Sequence, residues 1–194
     1  MHYGLVVLYS YLLGAIPSAY IIGQIKGKDI TSEGSGNIGG TNAYRVLGPR
    51  LGVIVAMMDV SKVLLALIIT RAWLGTEAAL SCAVLAAVVG HNWSVYVGFR
   101  GGKGIAVSVG AYIFLFPELA ALALLSAVFI VLMTKYVSLG SLNFIMTMSI
   151  LLLIKDTSLW YKGLGVLLLI IGLYRHKVNI KALRAGTERR FGNK

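Results

Sequence analysis

The sequence predicts an all-α, polytopic membrane helical bundle with seven transmembrane helices, and three observations lead there. Of 194 residues, 58% are hydrophobic and only 13% charged, with a mean hydropathy of +0.83. A soluble domain of this size has too little interior to hide that much apolar surface. The apolar residues form long, nearly continuous runs of Leu, Val, Ile and Ala, as spanning helices require. The basic residues between those runs are distributed unequally between the two sides, following the positive-inside rule.

The first run covers residues 3 to 25. Met1-His2-Tyr3 carries no basic n-region and no small-residue cleavage site follows, so the segment is expected to be a retained span and not a signal peptide. Lys26 and Lys28 follow it, which puts the N-terminus outside and the 26 to 50 loop in the cytoplasm. Runs 51 to 72 and 77 to 97 are the next two spans. Those at 104 to 116, 118 to 134, 139 to 154 and 158 to 174 fall short of the roughly 20 residues needed to cross an untilted bilayer. A five-span alternative merges 104 to 134 and 139 to 174. It would bury Phe116-Pro117-Glu118 and Lys155-Asp156-Thr157-Ser158 at membrane depth, where a helix break and clustered polar groups are costly. Seven spans also put Arg100, Lys103, Lys135 and the Arg175 to Lys194 tail inside, leaving Arg71, Lys155 and Lys162 outside.

The chain reads as one domain over residues 1 to 194, with no soluble module, low-complexity tract or internal repeat. The net charge of +11 acts mainly as a topogenic signal and attracts anionic headgroups or substrates. A nucleic-acid partner is excluded by the spread of the basic residues over short loops. Cys82, the single cysteine, lies within a span as a small packing residue, and Trp73, Trp93, Trp160 and Tyr161 fall near span ends as an aromatic belt. Polar residues gather at 26 to 50, 91 to 104, 135 to 141 and 175 to 194, all on the expected cytoplasmic side. Recognition on one face suits an enzyme better than a symmetrical pore.

The richest cluster is Ser35-Gly36-Asn37-Ile38-Gly39-Gly40-Thr41-Asn42-Ala43-Tyr44-Arg45. Glycines let backbone N–H groups turn toward an anion, and the arginine adds a fixed charge with bidentate reach, which together make a phosphate site. Gly34-x-Gly36-x-x-Gly39 with Asp59 also fits the dinucleotide fingerprint, but a membrane helix precedes it where a strand is required. A plain turn would use the glycines for backbone angles alone and has no need of Asn37, Thr41, Asn42 and Arg45. Thr41 and Arg45, four apart, share a face if the segment after Gly40 is helical.

The second cluster, His91-Asn92 followed by Phe99-Arg100-Gly101-Gly102-Lys103-Gly104, offers backbone donors and a lysine just ahead of an apolar helix. It is no Walker A loop, since Val97 stands six residues before Lys103 and Gly104 replaces the magnesium-binding hydroxyl. His91 and Asn92 serve either loop shape or substrate. Asp59 and Lys62, three apart within a span, are expected to form a structural ion pair. Ser138 and Ser141 beside Lys135 place two hydroxyls at a cytoplasmic turn, as a helix cap or as substrate ligands. His176 and Asn179, three apart at the end of a span, would meet on one helix face and could position a hydroxyl. His2, His91 and His176 lack metal-ligand spacing, so no metal and no cofactor are expected.

Taken in order, Ser-Gly-Asn-x-Gly-x-Thr-Asn-x-x-Arg, Gly-His-Asn with a downstream Phe-x-Gly-Gly-Lys-Gly, and His-x-x-Asn near a basic C-terminus resemble the bacterial acyl-phosphate:glycerol-3-phosphate acyltransferases over nearly the full chain. The resemblance implies a seven-helix bacterial inner-membrane enzyme with its active site on the cytoplasmic side. Such an enzyme moves a fatty acyl group from acyl phosphate to the 1-hydroxyl of glycerol 3-phosphate, giving 1-acylglycerol 3-phosphate and phosphate. It implies catalytic roles for Ser35, Arg45, Lys103, His176 and Asn179, a glycerol 3-phosphate loop at Gly101 to Gly104, and a structural Glu188. Gly36, Asn37, Gly39, Gly40, Thr41, Asn42, His91, Asn92, Ser138 and Ser141 complete the expected substrate-binding set. No His-x-x-x-x-Asp occurs, so the acid/base pair of acyl-CoA-dependent glycerophosphate acyltransferases is missing. A transporter of an organic phosphate or other anion would use the same anion-binding groups and is the alternative from another class.

Overall fold

A computed structural model describes residues 2–192; Met1, and Asn193 and Lys194 at the end of the basic tail, lie outside the described residues. Among the described residues the only regular elements are helices, and the sole β-type pairing is an isolated bridge between Ser94 and Arg100. The chain divides into two compact units, 1–114 and 115–194.

In the first unit α1 (His2–Ala15) breaks at Ile16-Pro17, because proline removes an N–H and disfavours helix in the preceding residue. The chain resumes as α2 (Ser18–Ile25). After the 26 to 39 loop come α3 (Gly40–Leu47), α4 (Pro49–Trp73), α5 (Glu77–Asn92), a short 3₁₀ turn at Val95–Val97, and α6 (Ile105–Leu115). Pro49 opens α4 at a first-turn position, where its missing N–H costs nothing. Thr76 caps α5 through its hydroxyl, 3.3 Å from the Ala79 N–H. Helix α1 packs along α5 and α4. Gly14 and Gly90 let the two backbones approach until any added Cβ would overlap Ala87 or the Tyr11 carbonyl, the small-residue contact typical of membrane helices.

The second unit contains α7 (Pro117–Thr134), α8 (Val137–Ile154), α9 (Leu159–Arg175) and α10 (Lys177–Arg184). Its packing inverts the soluble pattern. In α7 the buried positions are Ala120, Ala123 and Ala127, whereas Leu122, Leu125, Val128, Phe129, Leu132 and Met133 are exposed. Large apolar side chains pointing outward are stable only against lipid.

Four segments among the described residues are long and apolar enough to cross a membrane: His2–Ile25, Pro49–Trp73, Pro117–Thr134 and Val137–Ile154. A fifth is α9 with α10, if that pair, bent by 62°, is one span. The expected run 77 to 97 is shorter as a helix, because α5 ends at Asn92 where the Ser94 hydroxyl donates to the Ala15 carbonyl at 2.5 Å and pulls the chain aside. Helix α6 has 11 residues and reaches only about 16 Å. The merged span 139 to 174 of the five-span alternative does not form, since α8 and α9 are separate helices packed side by side.

Candidate active site

The long loop after α2 carries a small core of its own. Ile30, Ile38 and Ala43 are buried against Ala19 and Val55, with Tyr20, Ile22, Leu47 and Val97 around them. Asn42 is the keystone of the loop at 1% exposure: its Nδ2 donates to the carbonyls of Ile30 and Glu33, each at 3.1 Å, and its Oδ1 accepts the Ser35 N–H at 2.8 Å. Both amide donors are thereby taken up by backbone, which gives Asn42 the work of shaping the loop. Asp29 accepts from the Thr31 hydroxyl at 2.7 Å and from the Thr31 N–H at 2.9 Å, bonds that hold its carboxyl below the usual range.

This scaffold leaves Ser35, Gly36, Thr41 and Arg45 exposed, with Asn37 and Gly40 half-buried. Thr41 and Arg45 do lie on a helix, α3, one turn apart. The second glycine cluster meets the first: a Cβ built at Gly39 would lie 4.0 Å from the Gly102 Cα. Two motifs more than fifty residues apart in sequence therefore adjoin through the buried glycines Gly39 and Gly102, with α3 and α6 starting directly after the two loops.

His91 and Asn92 support this junction from below, both buried. The His91 carbonyl accepts the Gly102 N–H at 3.0 Å, and a Cβ at Gly101 or Gly102 would overlap His91 atoms. A Cβ at Gly104 would lie 3.0 Å from Asn92 Oδ1. Beneath them, Asp59 and Lys62 form the expected ion pair at 2.9 Å, both almost fully buried. Sequence reasoning missed its other members: the Ser18 hydroxyl donates to Asp59 Oδ1 at 2.9 Å, and Lys62 Nζ reaches His91 Nδ1 at 2.9 Å. An intramembrane Asp–Lys pair was the available signal; its partner lies 29 residues on from Lys62, on another helix.

In the second unit Gly186, at φ 69°, ends α10 in a Schellman turn, with Gly186 N–H on the Leu183 carbonyl at 3.2 Å and Thr187 N–H on the Ala182 carbonyl at 2.9 Å. The reversed chain brings Glu188 back, where Oε1 accepts from the Ser138 hydroxyl at 2.6 Å and from Asn179 Nδ2 at 2.8 Å. Of the two readings of these hydroxyls, the helix cap is not made: Ser138 bonds Glu188, while the Ser141 hydroxyl donates to the Val137 carbonyl at 2.9 Å. His176 sits at the bend between α9 and α10 as the N-cap of α10, its carbonyl accepting the Ile180 N–H at 2.8 Å, and Asn179 follows in the first turn of α10. Its Nδ1 lies 2.8 Å from the Gly172 carbonyl, which can only accept, so Nδ1 carries a proton.

Removing the Glu188 carboxylate leaves a buried hydroxyl and an amide without their acceptor. Glu188→Ala is expected to lower stability by about 1–3 kcal/mol, and Glu188→Gln, which keeps a carbonyl oxygen, by less. Thermal unfolding in detergent reads the difference; equal midpoints for Glu188→Ala and the unmodified protein would refute it. Among the described residues no group of three or more His, Cys, Asp or Glu could hold a metal ion.

Comparison with known proteins agrees over nearly the whole chain. A family profile described as glycerol-3-phosphate acyltransferase matches residues 4–186. A glycerol-3-phosphate acyltransferase of Shouchella clausii is 47% identical over 201 residues, covering 97% of this chain and 95% of the relative. One from Thermoanaerobacter pseudethanolicus is 40% identical, covering 100% of this chain and 98% of its own. Among solved structures, PlsY (YgiH), an integral membrane glycerol 3-phosphate acyltransferase, superposes in its glycerol 3-phosphate form with a TM-score of 0.94 at 33% identity, covering 99% of this chain and 96% of that one. Its lysophosphatidic acid form gives 0.92. Full-length similarity in sequence and in helical architecture thus converges on one assignment: the chain belongs to the glycerol-3-phosphate acyltransferase family.

Proposed function

We propose that this protein transfers a fatty acyl group from acyl phosphate to the 1-hydroxyl of glycerol 3-phosphate, releasing 1-acylglycerol 3-phosphate and inorganic phosphate. The observation that carries the reading is the meeting of the two glycine-rich motifs at Gly39 and Gly102. Two adjoining anion-binding loops suit a reaction in which both substrates carry phosphate.

The catalytic work is assigned to Ser35, Arg45, Lys103, His176 and Asn179. An acyl phosphate is already activated, so direct attack needs no covalent enzyme intermediate. The glycerol oxygen bonds to the acyl carbon, the bond from that carbon to the phosphate oxygen breaks, and the hydroxyl proton ends on the departing phosphate. Arg45, Lys103 and loop N–H groups hold phosphate and stabilise the tetrahedral oxyanion. His176 orients the hydroxyl, and Asn179, whose Nδ2 donates to Glu188 Oε1, assists. Ser35 contributes a hydrogen bond. Gly36, Asn37, Gly39, Gly40, Thr41, Gly101, Gly102 and Gly104 line the substrate phosphates, while Asn42, His91, Asn92, Ser138 and Ser141 shape the surroundings.

The whole chain, 1 to 194, is taken as a single acyltransferase domain in the bacterial inner membrane. Seven crossings, with the N-terminus outside and the C-terminus and active site cytoplasmic, are supported by the side-to-side bias of lysine and arginine. In a Cys82→Ala background, Lys135→Cys should resist an impermeant thiol reagent added to intact cells, and labelling there would refute the topology. The chemistry is tested with purified protein in detergent. Phosphate release coupled to lyso-lipid formation from acyl phosphate and glycerol 3-phosphate is expected without any second compartment. Equal rates with acyl-CoA, or no product, would overturn it.

A further inference from the structure

Beneath the glycine loop lies a buried polar chain that the proposed mechanism leaves unused. Lys62 Nζ has three N–H bonds and meets three acceptors: Asp59 Oδ1 at 2.9 Å, the Ile16 carbonyl at 3.0 Å and His91 Nδ1 at 2.9 Å. A lysine ammonium can only donate, and His91 Nδ1 lies 3.6 Å from Asp59 Oδ1, too far to donate there, so Nδ1 accepts from Lys62. The imidazole is then neutral and carries its proton on Nε2, the nitrogen lying against Gly102. The same residue grips Gly102 a second time, through its carbonyl and the Gly102 N–H at 3.0 Å. Ser18 completes the chain by donating to Asp59 Oδ1 at 2.9 Å, fixing the carboxylate that fixes the lysine.

We propose that Asp59 and Lys62 are positioning residues for the phosphate-binding loop, acting through His91: they lock its ring as the Nε2–H tautomer against Gly102, and so hold Gly101 to Gly104 in their anion-binding shape. The inference rests on the reading of that loop as a glycerol 3-phosphate site. A purely structural ion pair explains the burial of both charges but requires neither the third acceptor of Lys62 nor a histidine pressed on the loop. Buried pairs are often replaceable by apolar isosteres with little loss of stability, so stability and function separate here.

The test uses the full-length protein, labelled with 15N-histidine, in detergent. In the unmodified protein His91, identified by the signals lost in His91→Gln, is expected to show an unprotonated Nδ1 and a protonated Nε2. A protonated Nδ1, alone or together with Nε2, overturns the proposal without any further variant. In Asp59→Asn/Lys62→Met the tautomer preference should disappear, and KM for glycerol 3-phosphate should rise about tenfold, the equivalent of one lost hydrogen bond, with kcat changed less than about threefold. A folded double variant that keeps the unmodified KM and the single tautomer refutes it. Lys103→Gln separates the two readings. If it raises KM while the double variant does not, the positioning role alone falls; if it leaves KM unchanged, the phosphate reading of the loop falls and this inference with it.

Discussion

Arg45→Lys is expected to lower kcat/KM by about thirty- to a hundredfold, the worth of losing charge-assisted, bidentate contact with a phosphate. The substitution keeps the charge on an exposed position of α3, while the loop is held by Asn42 and by the Ile30, Ile38 and Ala43 core. Folding, read as a single elution peak and an unchanged unfolding midpoint in detergent, should be retained. What changes is geometry: a lysine ammonium is a point charge on a flexible stem and cannot present two parallel donors to two phosphate oxygens. Near-normal turnover by Arg45→Lys would remove this side chain from the proposed machinery.

Gly102→Ala should be still more damaging. A Cβ there overlaps His91 Nε2, and the imidazole has no room to retreat, because Lys62 and the Gly102 N–H hold its ring and carbonyl. The loop must move instead. Overpacking of this kind costs about 1–3 kcal/mol of stability, and a displacement near 1 Å at a substrate-positioning loop costs about a hundredfold in rate. Gly163→Ala is the matched control, since a Cβ on that helical glycine meets nothing within 4 Å and should leave activity unchanged. Comparable activities for the two variants would show that contact with His91 does not set the loop's shape.

Much of this molecule is legible in its sequence, because hydropathy and glycine content act locally. The breaks at Phe116 and at 155 to 158, the helical start at Gly40 and the loop-to-helix junction at Gly104 follow from neighbouring residues, and the structure has them. Boundaries decided by distant contacts were less accessible. The run 77 to 97 looks continuous in composition, yet α5 stops at Asn92, where Ser94 reaches back to Ala15. His176 and Asn179 have helical spacing, but α9 ends at Arg175, and His176 sits at the 62° bend that opens α10.

By itself the sequence determined that the chain is an all-helical membrane protein, where its apolar segments begin and end to within a few residues, and that it carries two glycine-rich motifs suited to phosphate ahead of a His-x-x-Asn motif suited to a hydroxyl. Each of these depends on residue type and on spacing along a few turns. Only the tertiary structure decided which polar groups meet: Gly39 with Gly102, Lys62 with His91, Glu188 with Asn179 and Ser138. It also turned Asn42 inward to hold the loop, leaving Ser35 and Arg45 to face out. These outcomes depend on how helices distant in sequence pack and on which donors remain once the backbone is satisfied, and both are properties of the folded whole.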